Sequence, residues 1–294
     1  MIATKHPLRV VLFVFSIVCA VILFPCPAQC TESLSLQIKG SDTMVNLVQA
    51  WAEEYMKEKP DTYIAVTGGG SGTGIAAMIS GTCDIAMSSR EMKDKEIREA
   101  KANGIEPKEW KVALDGLAVV VNPQNPVHKL TIDEVAGIFT GKIKNWKELG
   151  GKNLEIVILS REVNSGTHVF FREHVIKKGD KKNLDEFSVS SLMMPSSQAI
   201  ADEIKLNPNA VGYYGMGYSG EGQKLIAVAK DRESEYFAPT VENVILDDYY
   251  ISRPLLLYTK GDPQGLAREF MEFALSDQGQ KIVRELDFVP LQFQ

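Results

Sequence analysis

Residues Thr62 to Ser80 read TYIAVTGGGSGTGIAAMIS, and how this stretch folds decides the class of the molecule. TYIAV (Thr62–Val66) has strand chemistry, the glycine stretch is a turn, and GIAAMIS (Gly74–Ser80) is a short helix. Its centre, VTGGGSGTG (Val66–Gly74), holds five glycines, one serine and two threonines and no lysine. A strand entering a helix through such a turn offers unpaired N–H groups, a partial positive charge and rotatable hydroxyls. A sulfate, phosphate or carboxylate is well served there, with Ser71 and Gly72 as the donors. A glycine turn with no ligand fits this stretch alone equally well.

Working outward, the same order recurs on either side. LSLQI (Leu34–Ile38) alternates as a strand and enters GSDT, containing Ser41, Asp42 and Thr43; DIAMS (Asp84–Ser88) enters SSRE, containing Ser88, Ser89 and Arg90. Three strand–turn–helix units in succession belong to an α/β protein, with the turns on one edge of a parallel sheet. After GSDT, the spacing of Leu47, Val48, Trp51, Ala52, Tyr55 and Met56 predicts a helix with one buried face, capped by Asp42 or Thr43 and ended at Lys59-Pro60. Met92 to Ala102 reads as a charged helix.

Far along the chain the pattern returns. LEIVILS (Leu154–Ser160) is a buried strand, and REVNSGT carries it into a helix beginning near His168. In R-x-x-x-S-G-T, Arg161 can give a tetrahedral oxyanion a bidentate pair, while Ser165, Gly166 and Thr167 add backbone and hydroxyl donors. A single arginine is usually a salt-bridged or solvated surface group; the shared pattern in both halves favours function for Arg161 and, less fully, for Arg90. Between and beyond these lie a capping box at Thr131 and Glu134, a helix from Ser196 to Leu206, and a final helix pair from Pro263 to Glu285. Two long β runs, Leu114–Asn122 and Val244–Thr259, are the candidate crossings between two lobes.

A chain of 294 residues suffices for one large domain or two of about 100–150 residues. Lys5 and Arg9 precede an apolar run, Val10 to Phe24, which has the layout of a secretory signal and is short for a membrane span. Cleavage is expected near Ala28, leaving Cys30 and Cys83, free or paired as a disulfide, with a lipid on Cys30 the weaker alternative. Removing the cations Lys5 and Arg9 takes the net charge from -6 to -8, so nucleic acid is not an expected partner and any anion must be held by local geometry.

Several chemistries are excluded by what the motifs lack. A nucleotide P-loop needs a lysine where Ile75 follows the last glycine, and the dinucleotide fingerprint lacks its third glycine. G-x-S-x-G fails at Thr73. His128, His168 and His174 have no metal-ligand spacing, so no metal or cofactor is expected, and His168 reads as a packing or surface residue. Asp115 and Asp247-Asp248 interrupt the crossings and read as buried caps or hinge positions.

Taken together, KGSDTM, GGGSGTG, DIAMSS, VVVNPQNPV, IFTGKIKNW, SREVNSGT, GYYG and SDQGQKIV resemble the PstS-type phosphate-binding proteins over nearly all of the mature chain. The resemblance implies a type II periplasmic-binding-protein fold: α/β, two lobes each with a mixed sheet flanked by helices, and two hinge crossings. It places a signal peptide at 1–28, one lobe at 34–115 plus 253–294, the other at 119–249, and hinges near 115–122 and 246–253. The implied function is extracytoplasmic binding of inorganic phosphate, without catalysis, by a monomer that delivers it to the permease of an ABC transporter. Sulfate or molybdate is the alternative ligand, and an exported phosphatase using Ser71 or Ser165 the alternative class. By the resemblance, Thr43 and its neighbours, Ser71, and the cluster Arg161, Ser165, Gly166 and Thr167 are ligand donors. Known members have an aspartate where this chain has Ser89, to accept the phosphate proton and reject sulfate. Two substitutes are open: Asp42 as acceptor, or Ser88 and Ser89 as donors with Arg90 sharing the charge.

Overall fold

The computed structural model describes residues 34–291. The expected signal peptide, its cleavage near Ala28 and the fate of Cys30 lie outside those residues. Cys83 is buried, and burial pushes its thiol pKa up to about 11.

Alternation in LSLQIKG produces β1 (Leu34–Gly40), and β2 (Thr62–Thr67) and β3 (Ile85–Ser88) flank it in parallel, Ile38 lying between Val66 and Ile85. Parallel neighbours need crossover segments. These are α1 (Val45–Glu58) and α2 (Ser71–Ile79); α3 (Asp94–Ala102) then leads out of β3. The turns after the three strands consequently lie on one sheet edge, as their sequence pattern predicts. Helix α2 starts three residues before the expected Gly74, so Ser71 and Gly72 form its first turn.

Strand β4 (Pro107–Val121) is longer than its apolar core suggests, and Asp115-Gly116 does not break it. The second half continues with β5 (Lys129–Thr131) and α4 (Ile132–Phe139), where Thr131 and Glu134 form the expected capping box. Then come β6 (Val157–Arg161), α5 (Gly166–Phe171) extended by a π turn over Arg172–Ile176, β7 (Leu192–Met194), α6 (Ser197–Leu206) and β8 (Ala210–Gly215). Two short strands, β9 (Lys224–Leu225) and β10 (Ala227–Ala229), precede α7 (Val241–Ile245). The chain returns through β11 (Ser252–Lys260) and closes with α8 (Gly265–Leu275) and α9 (Asp277–Glu285).

The strand order is β2-β1-β3-β11-β4-β8-β6-β7, with β9 added beside β4 and a separate pair of β5 and β10. One stretch of β4 pairs with β11 up to Gly116; the next, from Leu117 to Val121, pairs with β8. Two apolar cores lie on either side of this handover. Leu36, Leu47, Trp51, Leu257 and Phe270 belong to one, and Val119, Phe139, Phe171, Tyr213 and Ile226 to the other. Each fully buried large side chain contributes on the order of 2–3 kcal/mol. The molecule is therefore α/β and two-lobed, joined where β4 and β11 cross.

One expectation fails at the second crossing. Val244 to Ile251 is not strand: Thr240 caps a short helix by accepting from Asn243 N (3.2 Å), and Asp247 turns the chain at φ 60°. Val244, Tyr249 and Ile251 are apolar because they pack into the second core, not because they alternate in a sheet.

Candidate binding site

Because β1, β2 and β3 end together, their turns are held to one another by backbone bonds. Ser41 N donates to Met87 O (2.9 Å) and Gly70 N to Gly40 O (2.9 Å). Glycine is required at residue 40, whose φ is +146° and whose Cβ would fall 2.1 Å from Met87 O. This stacking gathers three buried hydroxyls. Ser41 Oγ donates to Ser89 Oγ (2.9 Å), Ser89 N donates to Ser71 Oγ (3.1 Å), and the hydroxyls of Ser71 and Ser89 lie 3.4 Å apart.

The second lobe meets them through α5. Ser165 caps that helix, accepting from His168 N at 3.4 Å. Thr167 Oγ1 lies 2.8 Å from Thr43 Oγ1, and a Cβ on Gly166 would fall 2.2 Å from Ser71 Oγ and 2.7 Å from Ser89 Oγ. Helix N-termini from both lobes thus open onto the same hydroxyl cluster. At α2, Gly72 N and Thr73 N are already bonded, to Asn164 O and Gly70 O, whereas Ser71 N, and at α5 Gly166 N and Thr167 N, have no acceptor among the described residues, which makes the place suited to a small anion.

Arg161 is buried at the end of β6. Its Nε and NH1 bond Met194 O (3.3 Å) and Ser197 Oγ (3.0 Å), and NH2 bonds Pro195 O (3.1 Å) and Asp42 Oδ2 (2.7 Å). Asp42 Oδ1 accepts from Gly69 N at 3.0 Å. The expectation that Asp42 or Thr43 caps the first long helix is therefore incorrect. Asp42–Met44 is a 3₁₀ turn with no side-chain cap, because both side chains are engaged across the cleft.

Two predicted residues stand apart from this cluster. Ser88 Oγ donates to Arg90 O (2.6 Å) and so serves its own turn. Arg90 makes a two-point pair with Glu96, NH1 to Oε2 at 2.8 Å and NH2 to Oε1 at 2.7 Å, so its charge is already answered within the first lobe. Burial would raise the Glu96 pKa, but bonds from Arg90 and from Lys93 N outweigh it and hold the carboxyl below its usual range. His168 is a packing residue: it stacks on Phe187 at 4.4 Å, and burial, then the charge of Arg172, push its pKa down to about 4.

Three residues in this region carry no site motif in the sequence. Arg253, on β11, donates to Asp115 Oδ2 from both Nε (3.0 Å) and NH2 (2.8 Å). Asn164 Nδ2 donates to Gly69 O (2.9 Å) and Thr73 Oγ1 (3.2 Å), while its carbonyl accepts from Gly72 N (3.0 Å). Tyr218 OH donates to Asp42 O at 2.6 Å. An arginine within an apolar β run is the one available signal for Arg253. Asn164 and Tyr218 act by reaching across the cleft, which local sequence does not encode.

A family model described as a PBP superfamily domain matches residues 27–278. The phosphate-binding protein PstS of Bacillus subtilis is 36% identical over 258 residues, covering 87% of this chain and 81% of the relative. The chain belongs to the PstS phosphate-binding protein family. The PstS of Pseudomonas aeruginosa is 30% identical over 275 residues, covering 87% of this chain and 83% of its own. Among solved structures, a phosphate ABC transporter substrate-binding protein from Clostridium perfringens, described with bound phosphate, is 34% identical. It superposes with a TM-score of 0.78 over 88% of this chain and all of its own. An ABC-type phosphate transport receptor from Vibrio cholerae, 31% identical, gives a TM-score of 0.69 over 87% of this chain and all of its own. Within this PstS family member, the hydroxyl cluster and the Arg161–Asp42 pair lie where the two lobes meet.

Proposed function

We propose that this protein binds inorganic phosphate between its lobes, outside the cytoplasm, and delivers it as a monomer to the permease of an ABC transporter without chemical change. The observation that carries the reading is the meeting of Ser41, Thr43, Ser71 and Ser89 from one lobe with Gly166, Thr167 and Arg161 from the other, because a tetrahedral anion needs donors from all sides. Ser165 shapes the second-lobe helix start, Gly72 aligns the first, and Asp42 is the carboxylate that accepts the ligand's proton. Ser88 and Arg90 act one step back, fixing the third turn. In this reading the first lobe is 34–115 with 253–294, the second is 119–249, and bending occurs near 115–122 and 246–253. Closure then couples directly to ligand binding, since neither half-site is complete alone.

Calorimetric titration with phosphate, arsenate, sulfate and molybdate tests this. Phosphate is expected to bind tightly with one site per chain, and sulfate far more weakly. Absence of heat with phosphate would overturn the reading, and release of phosphate from a phosphate ester would replace a binder with an enzyme.

A further inference from the structure

Arg253 and Asp115 face each other in the ladder of β11 and β4, at the point where both strands pass between the lobes. Asp115 spends one oxygen on the guanidinium and the other on the second lobe, Oδ1 accepting from Met216 N at 3.0 Å. The guanidinium then extends beyond the pair. NH1 donates to Ser89 O (3.1 Å), and NH2 reaches Thr43 Oγ1 (3.3 Å) and Thr167 Oγ1 (3.1 Å). One side chain therefore touches the third turn, the first turn and the second-lobe helix. The Phe170 ring, 5.6 Å from Cζ, covers it on another side.

A guanidinium has five N–H donors. Nε is spent on Asp115, NH2 is shared among three acceptors, and NH1 makes one bond, so one NH1 hydrogen has no partner among the described residues. Burial, above all, pushes the Arg253 pKa down while Asp115 holds it up, and the charge of Arg161 adds to the depression. The charge of Arg161 thus reaches Arg253 although Asp42 and Asp115 partner them, and an anion bound at the hydroxyl cluster would be attracted by both.

We propose that Arg253 is a second ligand-contacting arginine of the phosphate site and that Asp115 is its positioning residue, a role that rests on the phosphate-binding reading. A pair that served only to join two strands would not need to bond Ser89 O and both threonine hydroxyls. Because the pair spans the crossing, the ligand's charge is felt by the two strands about which the lobes close. Ser89 lacks a carboxylate, so the guanidinium near it meets no competing negative charge from the third turn.

Removing Arg253 alone would strand a buried carboxylate, so the decisive variant is the double Arg253→Met, Asp115→Asn, which leaves no buried charge and keeps an oxygen to accept from Met216 N. Inorganic phosphate is titrated calorimetrically into wild type, the double variant and Arg253→Lys, with circular dichroism melts to establish folding. The double variant is expected to lose about a hundredfold in affinity, the scale of a charged hydrogen bond lost from a dry site. Its gain in affinity across the second ionisation of phosphate should also flatten, which a strut between strands would not cause. Arg253→Lys keeps the charge but not the fork, and should lose about tenfold with its pH slope intact. A folded double variant within about threefold of wild type, with the same pH slope, would overturn this inference alone. Should the double variant not fold, Arg253→Lys decides: wild-type affinity overturns the proposal. Wild type that does not bind phosphate at all would overturn both readings.

Discussion

Asp42 Oδ2 and Arg161 NH2 lie 2.7 Å apart although one belongs to the turn after β1 and the other to the end of β6 in the opposite lobe. Each Asp42 oxygen accepts one bond from the chain, leaving lone pairs free for a protonated ligand. Asp42→Asn should therefore lower phosphate affinity by about tenfold to a hundredfold, as expected for hydrogen bonds to a charged group. Sulfate, which offers no proton, should bind no worse and compete better. Competition calorimetry with both anions checks this, and unchanged discrimination would remove Asp42 from the role.

Gly166 sets how closely the lobes approach. A methyl there would lie 2.2 Å from Ser71 Oγ of the other lobe. Gly166→Ala is expected to weaken phosphate binding by about a hundredfold, the upper range for overpacking, while the ligand-free protein melts near the wild-type temperature. Paired titration and melting experiments separate the two effects.

Asn164 bonds the first-lobe turn from its side chain and from its backbone. Asn164→Ala removes the two side-chain bonds and keeps the carbonyl's. Phosphate should then dissociate about tenfold faster with little change in association, since a neutral bond is worth roughly 0.5–1.5 kcal/mol in net terms. Stopped-flow measurement with a fluorescent reporter reads both rates.

His168 makes stability depend on pH. Its folded pKa, about 4, lies below the ordinary value of 6.5, so the unfolded chain binds more protons between those limits and stability must fall as the pH drops through them. His168→Gln should flatten that part of the curve. Denaturant titrations across the interval, wild type against variant, give the comparison.

The sequence carried the strand–turn–helix order of both lobes because alternation, glycine turns and helical spacing are local. It carried most of the hydroxyl cluster for the same reason, since Ser71 and Thr167 sit in turns whose chemistry is legible in isolation. Asp before an apolar run ordinarily caps the helix that follows, and the sequence leaves Asp42 open as cap or as ligand acceptor; its pull toward Arg161 is a tertiary effect that overrides the capping preference. Val244 to Ile251 looked like strand because burial in a core, like burial in a sheet, selects apolar residues. Arg253 stands out in an apolar β run, but its partner does not, since only the register of β11 against β4 reveals the carboxylate that makes a buried arginine tolerable.

Strand β4 passes from one core to the other as paired β-structure, with no loop at the handover. Such a connection has no free joint. If the lobes part at this crossing, as proposed above, β4 would take up the change as added twist along the ladders on both sides of Gly116, as a leaf spring does. The rest position of that spring is set by small clearances: a Cβ on Gly116 would meet Val244 Cγ2 at 3.0 Å and Met216 Sδ at 3.1 Å. A single methyl there would press on both side chains by a few tenths of an ångström, one residue from the Asp115 that holds Arg253 in place.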